Sequence, residues 1–215
     1  MSNQKKKGMN LPNKLTVLRV MLVPVFIVVM MLPASVLDPI ISGLIGVAIF
    51  IAASVTDMLD GKIARKYNLV TDFGKLMDPL ADKFMVIGAM TAIVYRMATL
   101  FDGNHMALFV ITLLIVIFRE LAVTSLRLVA SASGGKVVAA NLLGKIKTVT
   151  QIAFVAIAIM EPLIYSIEGV KNALDPRWIQ NLPISYALAA LTVIFTIWSG
   201  VNYFVGLWKY LDPEK

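Results

Sequence analysis

The sequence predicts an all-α polytopic membrane protein with six transmembrane helices around a polar cavity that faces the cytoplasm. Three observations carry this expectation. The chain has 215 residues, 59% hydrophobic and 15% charged, with a mean hydropathy of +0.81, a composition that ordinary soluble domains do not have. Its apolar residues form six stretches, at 15–33, 40–56, 76–95, 106–130, 142–160 and 183–208, each near the roughly 20 residues a spanning helix needs. The third, fourth and fifth carry charge at one end only: Asp78, Asp82 and Lys83, then Arg119, Glu120 and Arg127, then Lys145 and Lys147. A polar cavity open to one side of the membrane explains that bias.

The elements follow in order. Residues 1–8, with Lys5, Lys6 and Lys7, read as a basic cytoplasmic tail, and 9–211 as a single membrane domain. Pro12 suits an approach to the first helix and Asn13 its N-cap, with Thr16 and Arg19 following on one face. A plain cap with an interfacial Arg and a ligand-contacting trio fit that pattern equally well. The first stretch is too long for a signal-peptide core and lacks a small-residue cleavage site, so it is expected to stay as an anchor. Pro33 and Asp38-Pro39 mark the turn into the second helix. Thr71-Asp72-Phe73-Gly74 marks the turn into the third, which Pro79 should bend while freeing a backbone carbonyl. Gly134-Gly135 make the next same-side loop flexible, and Gly144-Lys145-x-Lys147-Thr148 opens the fifth helix, with Gln151 following. Residues 161–182 read as a connection without discernible chemistry. Trp198, Tyr203 and Trp208 in the last helix read as interfacial belt residues, and Ser42, Gly43 and Gly46 as a surface for close helix packing, within the chain or between two copies.

With both termini on one side, all of the 20 basic residues except Arg96, Lys171 and Arg177 fall on that side or at its helix ends. The positive-inside rule therefore puts both termini and the acidic residues at 57–82 in the cytoplasm, with the protein in the cytoplasmic membrane. No cysteine and a single histidine, His105, exclude disulfides, thiolate chemistry and multi-His metal sites. The net charge of +7 comes with no nucleic-acid motif. Anionic membrane lipids and phosphorylated substrates are the expected partners, and nucleic acid is not.

Chemistry concentrates in Asp57-x-x-Asp60-Gly61-x-x-Ala64-Arg65, eight residues, then Gly74-x-x-x-Asp78-x-x-x-Asp82. Four unpaired carboxylates in the bilayer would cost on the order of ten kcal/mol, so they must sit near the interface, pair, or bind metal. Residues three and four apart share a helix face. Asp57 and Asp60 thus project together from one helix, Asp78 and Asp82 from the next, and two antiparallel helices would converge all four. Hard oxygen ligands of this kind suit Mg²⁺ or Mn²⁺, and two such ions clamp a phosphate undergoing displacement. A salt-bridged interfacial segment is the plainer alternative, since 57–83 holds five Asp and five Lys or Arg. A second group, Arg119, Arg127, Lys136, Lys145 and Lys147, reads either as a cradle for a phosphate monoester or as snorkelling interfacial basics.

The acidic pattern matches, at all eight of its fixed positions, the signature of the CDP-alcohol phosphatidyltransferases. The chain resembles that family over roughly 9–211. Residues 10–19 and 71–83, Arg119-Glu120 with Leu126-Arg127, and 141–151 resemble the branch that uses sn-glycerol 3-phosphate as acceptor. The resemblance implies a homodimeric six-helix enzyme that moves the phosphatidyl group of CDP-diacylglycerol to an alcohol and releases CMP. It implies two divalent cations, Mg²⁺ or Mn²⁺, held by Asp57, Asp60, Asp78 and Asp82, with Asp82 also taking the acceptor's proton. Gly61, Arg65 and Thr71 would contact the CDP moiety, Ala64 and Gly74 leave room for it, and Asn13 and Thr16 join the donor site. The five basic residues become candidates for the acceptor phosphate. Sister enzymes using inositol phosphate, inositol, serine or phosphatidylglycerol are the alternative within the class. A divalent-cation transporter is the alternative outside it, disfavoured because Arg65 and Lys66 would repel permeating cations.

Overall fold

The computed structural model describes residues 9–67, 69, 71–101, 105–132 and 142–208, apart from the side chain of Arg65. The tail at 1–8 and Lys136 lie outside the described residues. Among these, all regular structure is helical: α1 Leu11–Met31, α2 Pro39–Lys66, α3 Asp72–Leu100, α4 Met106–Ala132, α5 Leu142–Tyr165, the short α6 Glu168–Ala173 and α7 Pro176–Asn181, and α8 Pro183–Leu207. α1 to α5 and α8 are each part of a segment long and apolar enough to cross a membrane. The chain is a multi-pass membrane protein.

Capping explains where the helices begin, and moves two expected boundaries. Asn10, not Asn13, caps α1: its side chain accepts from the Asn13 N–H at 3.0 Å. Pro12 fits inside the first turn, where its missing N–H has no intrahelical partner to lose, so the helix starts ahead of it. Asn13 is thereby released from capping and is buried. Asp38 caps α2, accepting from Ile40 N–H at 2.7 Å. Thr71 caps α3, accepting from Gly74 N–H at 3.0 Å, so 72–74 form the first helical turn rather than the turn between helices. α3 then runs as one helix through Pro79.

The segment at 161–182 also differs from expectation. α5 continues through Pro162 to Tyr165, because an apolar setting with neighbouring partners tolerates a helical proline. Glu161 is therefore helical, and it is buried at 2% exposure. Its carboxylate accepts from the N–H groups of Ile184 (3.0 Å) and Ser185 (2.7 Å), the Ser185 hydroxyl and the Tyr165 hydroxyl (2.9 Å). These backbone donors belong to the first turn of α8, whose own cap is Leu182, apolar, fully buried and left-handed at φ 44°. A branched residue in that conformation costs about 1–2 kcal/mol, and the borrowed carboxylate with the burial of Leu182 offsets it. Glu161→Ala should lower the thermal midpoint of the detergent-solubilised protein markedly, since each buried orphaned donor costs about 1–3 kcal/mol. Glu161→Gln, which keeps one acceptor oxygen, should restore part of the loss. An unchanged midpoint for the alanine variant would show that α8 is held by other means.

The long helices form two groups of three. α1 packs on both α2 and α3, while α8 packs on both α4 and α5, and the groups meet where α3 contacts α4 and α5 and where α2 contacts α5. The core between them includes Phe26, Phe50, Met90, Ile93, Phe109, Phe154 and Ile159. Outward positions such as Met21, Phe118, Leu128 and Val205 are apolar and exposed, as a lipid solvent permits. The small residues of α2 are used within the chain: a Cβ at Gly43 would meet Leu163 at 2.9 Å, one at Gly46 would run into Met30, and the Ser42 hydroxyl accepts from Arg96 at 2.8 Å.

Candidate active site

The start of α1, the end of α2 and the start of α3 are brought together at one end of the bundle. Asn10 Nδ2 donates to the Leu69 carbonyl at 2.8 Å, fastening α1 to the connection between the other two. Asp82 is ten residues past the start of α3 at Asp72, about 15 Å along the helix axis. At that depth a carboxylate needs a partner.

The partner is Arg19 of α1. Its guanidinium is fully buried, with Nη1 at 2.6 Å from Asp57 Oδ1 and 2.7 Å from Asp82 Oδ1, and Nη2 paired with Asp60. The Thr16 hydroxyl, one turn earlier, donates to Asp78 Oδ1 at 2.7 Å and also lies 3.5 Å from Asp60 Oδ2. All four aspartates thus converge, two from α2 and two from α3, on a face of α1. They differ in access: the side chain of Asp60 is 4% exposed, that of Asp57 37% and that of Asp82 51%. Of the three that pair with Arg19, Asp82 is the most open.

Asn13, Thr71 and Gly74 form the adjoining wall. The Thr71 hydroxyl donates to Asn13 Oδ1 at 3.0 Å while accepting from Gly74 N–H. A Cβ at Gly74 would lie 3.2 Å from Asn13 Oδ1, 3.4 Å from Thr71 Oγ1 and 3.7 Å from Asp78 Oδ2, so the first turn of α3 meets the cluster backbone-first. Gly61 and Ala64 are partly exposed on the last turns of α2, with Ala64 one turn beyond Asp60. The Arg65 side chain is outside the described residues.

The donor set suits a hard divalent cation: four carboxylates face one guanidinium, an excess of negative charge between apolar helices that calls for further cations. Among the described residues no three acidic side chains are disposed around a common metal position; the oxygens of Asp57, Asp60 and Asp82 close on Arg19.

The second predicted group is only partly assembled. Glu120 on α4 is its hub, paired with Arg119 at 3.1 Å and with Lys147 of α5. Arg119 also donates to Ser199 of α8 at 2.7 Å. Arg127 donates to the Tyr203 hydroxyl at 2.6 Å, its guanidinium 4.7 Å from that ring's centroid, with Arg119 at 5.5 Å from the same ring. Lys145 is exposed whereas Lys147 is buried, because positions two apart point to different sides of a helix. Tyr203, expected in the interfacial belt, is 4% exposed and belongs to this cluster. Lys83, next to Asp82, donates to Thr124 of α4 at 2.6 Å and so joins the two clusters' helices.

Sequence reasoning missed Arg19, Ser199 and Tyr203 as organisers, and it pairs Glu120 with Arg119, as found, but not with Lys147. For Arg19 a signal existed: a guanidinium in an apolar helix must be paired, and the nearest carboxylates that could share its end of the bundle were the aspartates.

A family model described as CDP-alcohol phosphatidyltransferase matches residues 9–198. The chain is 39% identical over 213 residues to the CDP-diacylglycerol–glycerol-3-phosphate 3-phosphatidyltransferase of Bacillus subtilis, covering 96% of this chain and 99% of that protein. It is 36% identical over 205 residues to the protein of the same name from Rickettsia felis, covering 94% and 97%. Over 195 residues it is 32% identical to that of Salmonella typhimurium, covering 90% and 92%.

Proposed function

Because the chain belongs to the CDP-alcohol phosphatidyltransferase family, we propose that it transfers the phosphatidyl group of CDP-diacylglycerol to sn-glycerol 3-phosphate, giving phosphatidylglycerophosphate and CMP. The activity is that of a phosphatidyltransferase. What supports the acceptor is one observation beside the relatives' shared name: next to the acidic cluster, Arg119, Arg127 and Lys147 stand against a single carboxylate, Glu120. That positive excess suits an acceptor bearing a phosphate, and serine or inositol would have no use for it.

In this reading Asp57, Asp60, Asp78 and Asp82 hold two divalent cations, Mg²⁺ or Mn²⁺, which when bound neutralise the pyrophosphate of the donor. Thr16 and Arg19 fix the carboxylates. Gly61, Arg65 and Thr71 contact the CDP moiety, Ala64 and Gly74 leave it room, and Asn13 and Thr16 join the donor site. Asp82, through its open oxygen, takes the proton of the acceptor hydroxyl. The acceptor's deprotonated oxygen then attacks the lipid-side phosphorus, the bond from phosphorus to the bridging oxygen breaks, and CMP leaves with the negative charge. Arg119, Arg127 and Lys147, with Lys136 and with Lys145 from the start of α5, hold the acceptor's phosphate. The asymmetry of basic residues supports a cytoplasmic setting for this end of the bundle and the cytoplasmic membrane for the protein, and the homodimer that the family implies belongs to the same reading.

Purified protein, CDP-diacylglycerol and a panel of labelled acceptors, with CMP release followed, tests the reading. Preference for serine or inositol over glycerol 3-phosphate would overturn the acceptor and leave the transferase chemistry standing. Arg119→Ala or Arg127→Ala should raise the KM for glycerol 3-phosphate at least about tenfold, because a hydrogen bond to a charged group contributes about 1.5–3 kcal/mol. The KM for CDP-diacylglycerol should move far less. Parallel rises in both constants would mean that these residues hold the donor or the fold.

A further inference from the structure

We propose that Arg19 is a built-in counter-cation that competes with divalent cations for the aspartates and so sets the metal affinity of the site. The inference rests on the metal reading above. Three of the four carboxylates, drawn from two helices, are committed to this one guanidinium, with oxygens of Asp57 and Asp82 at 2.6 and 2.7 Å and Asp60 on the other amino group. The fourth, Asp78, accepts from the Thr16 hydroxyl and has no cationic partner among the described residues. Arg19 Nε is buried and finds no acceptor among the described residues. The guanidinium is thus anchored through its two terminal nitrogens alone, and by the same oxygens a metal would take.

Two consequences of opposite sign follow. A fixed positive charge among the ligands repels a second cation strongly in a medium of low dielectric, and a metal must displace or share the contacts that Arg19 makes. Removing Arg19 should therefore tighten metal binding. The same guanidinium holds α1 to α2 and α3 and screens the aspartates from one another when no metal is bound, so its removal should destabilise the metal-free protein, as breaking a buried ion pair does. Removing a residue that merely held the fold would lower stability and metal affinity together.

The test is Mn²⁺ titration of the full-length protein in detergent, followed by calorimetry and by the electron paramagnetic resonance of free Mn²⁺, with thermal melts in EDTA and in saturating Mn²⁺. Arg19→Met is expected to lower the Mn²⁺ Kd at least about tenfold, to lower the melting midpoint in EDTA, and to recover most of that loss in Mn²⁺. Arg19→Lys keeps a charge that reaches fewer carboxylates, so its Kd should fall between the two. A Kd for Arg19→Met equal to or weaker than wild type overturns the proposal. If the methionine variant does not survive without metal, Arg19→Lys decides: a Kd no lower than wild type overturns it equally. Wild-type protein that takes up no Mn²⁺ overturns the metal reading itself, an outcome separate from any shift between variants.

Discussion

Asp78→Asn should lower turnover about a thousandfold or more while leaving the protein folded. Charge stabilisation at a metal-assisted phosphoryl centre amounts to several kcal/mol, and each ~1.4 kcal/mol is a factor of ten in rate. Asp78 isolates that effect better than its neighbours do. Replacing Asp57, Asp60 or Asp82 takes a carboxylate from the buried Arg19, and breaking a buried pair costs about 3–5 kcal/mol of stability, so part of any lost activity would come from the fold. Among the described residues Asp78 pairs only with the Thr16 hydroxyl, which an asparagine carbonyl accepts equally well. The assay is CMP release, accompanied by a thermal melt to show that the variant matches wild type. EDTA should abolish wild-type activity, and Mg²⁺ or Mn²⁺ should restore it. Full turnover in chelator would sink the proposed role of the cluster.

Asp82→Asn should cost about a hundredfold to ten-thousandfold in kcat, the range for a positioned general base, beyond the loss that a thermal melt traces to its broken pair with Arg19, while CDP-diacylglycerol binding is largely kept. The expectation comes from access: half of the Asp82 side chain is open, against 4% for Asp60. Equilibrium binding of the donor, measured separately from turnover, decides the role. A variant that loses donor affinity in proportion to its rate has lost a donor-site group, and Asp82 is then not the base.

The acidic cluster could be read from the sequence because two local rules act in the same direction. Aspartates at three- and four-residue spacing share a face, and consecutive spanning helices are antiparallel neighbours, so Asp57, Asp60, Asp78 and Asp82 had few places to go other than together. Arg19 was harder to read because a lone arginine near a helix start has two physical outlets, snorkelling to water or pairing inside, and spacing along α1 does not choose between them. Its neighbours on α2 and α3 do. Pro12 makes Asn13 look like a cap, whereas a proline fits equally well inside the first turn. Pro162 makes Glu161 look like the start of a connection. In water that inference is sound, but here the proline sits three residues from the end of α5 at Tyr165 and its own carbonyl is used by Ser166. The basic cluster was legible in composition and not in detail: Lys145 and Lys147 diverge, and the hub is the one acid, Glu120.

The boundary between the two three-helix groups divides the proposed chemistry as well as the fold. α1, α2 and α3 carry every residue assigned to the nucleotide-lipid donor, and α4, α5 and α8 carry Arg119, Arg127, Lys147 and the tyrosine and serine that orient the two arginines. On this reading the two halves are separable in inheritance. The arrangement of four aspartates around Thr16 and the buried Arg19 is hard to assemble and unforgiving to change, yet none of it is built from the acceptor half. A duplicated gene is therefore free to sample other alcohols through changes in α4, α5 and α8, with the machinery that activates the lipid passed on intact.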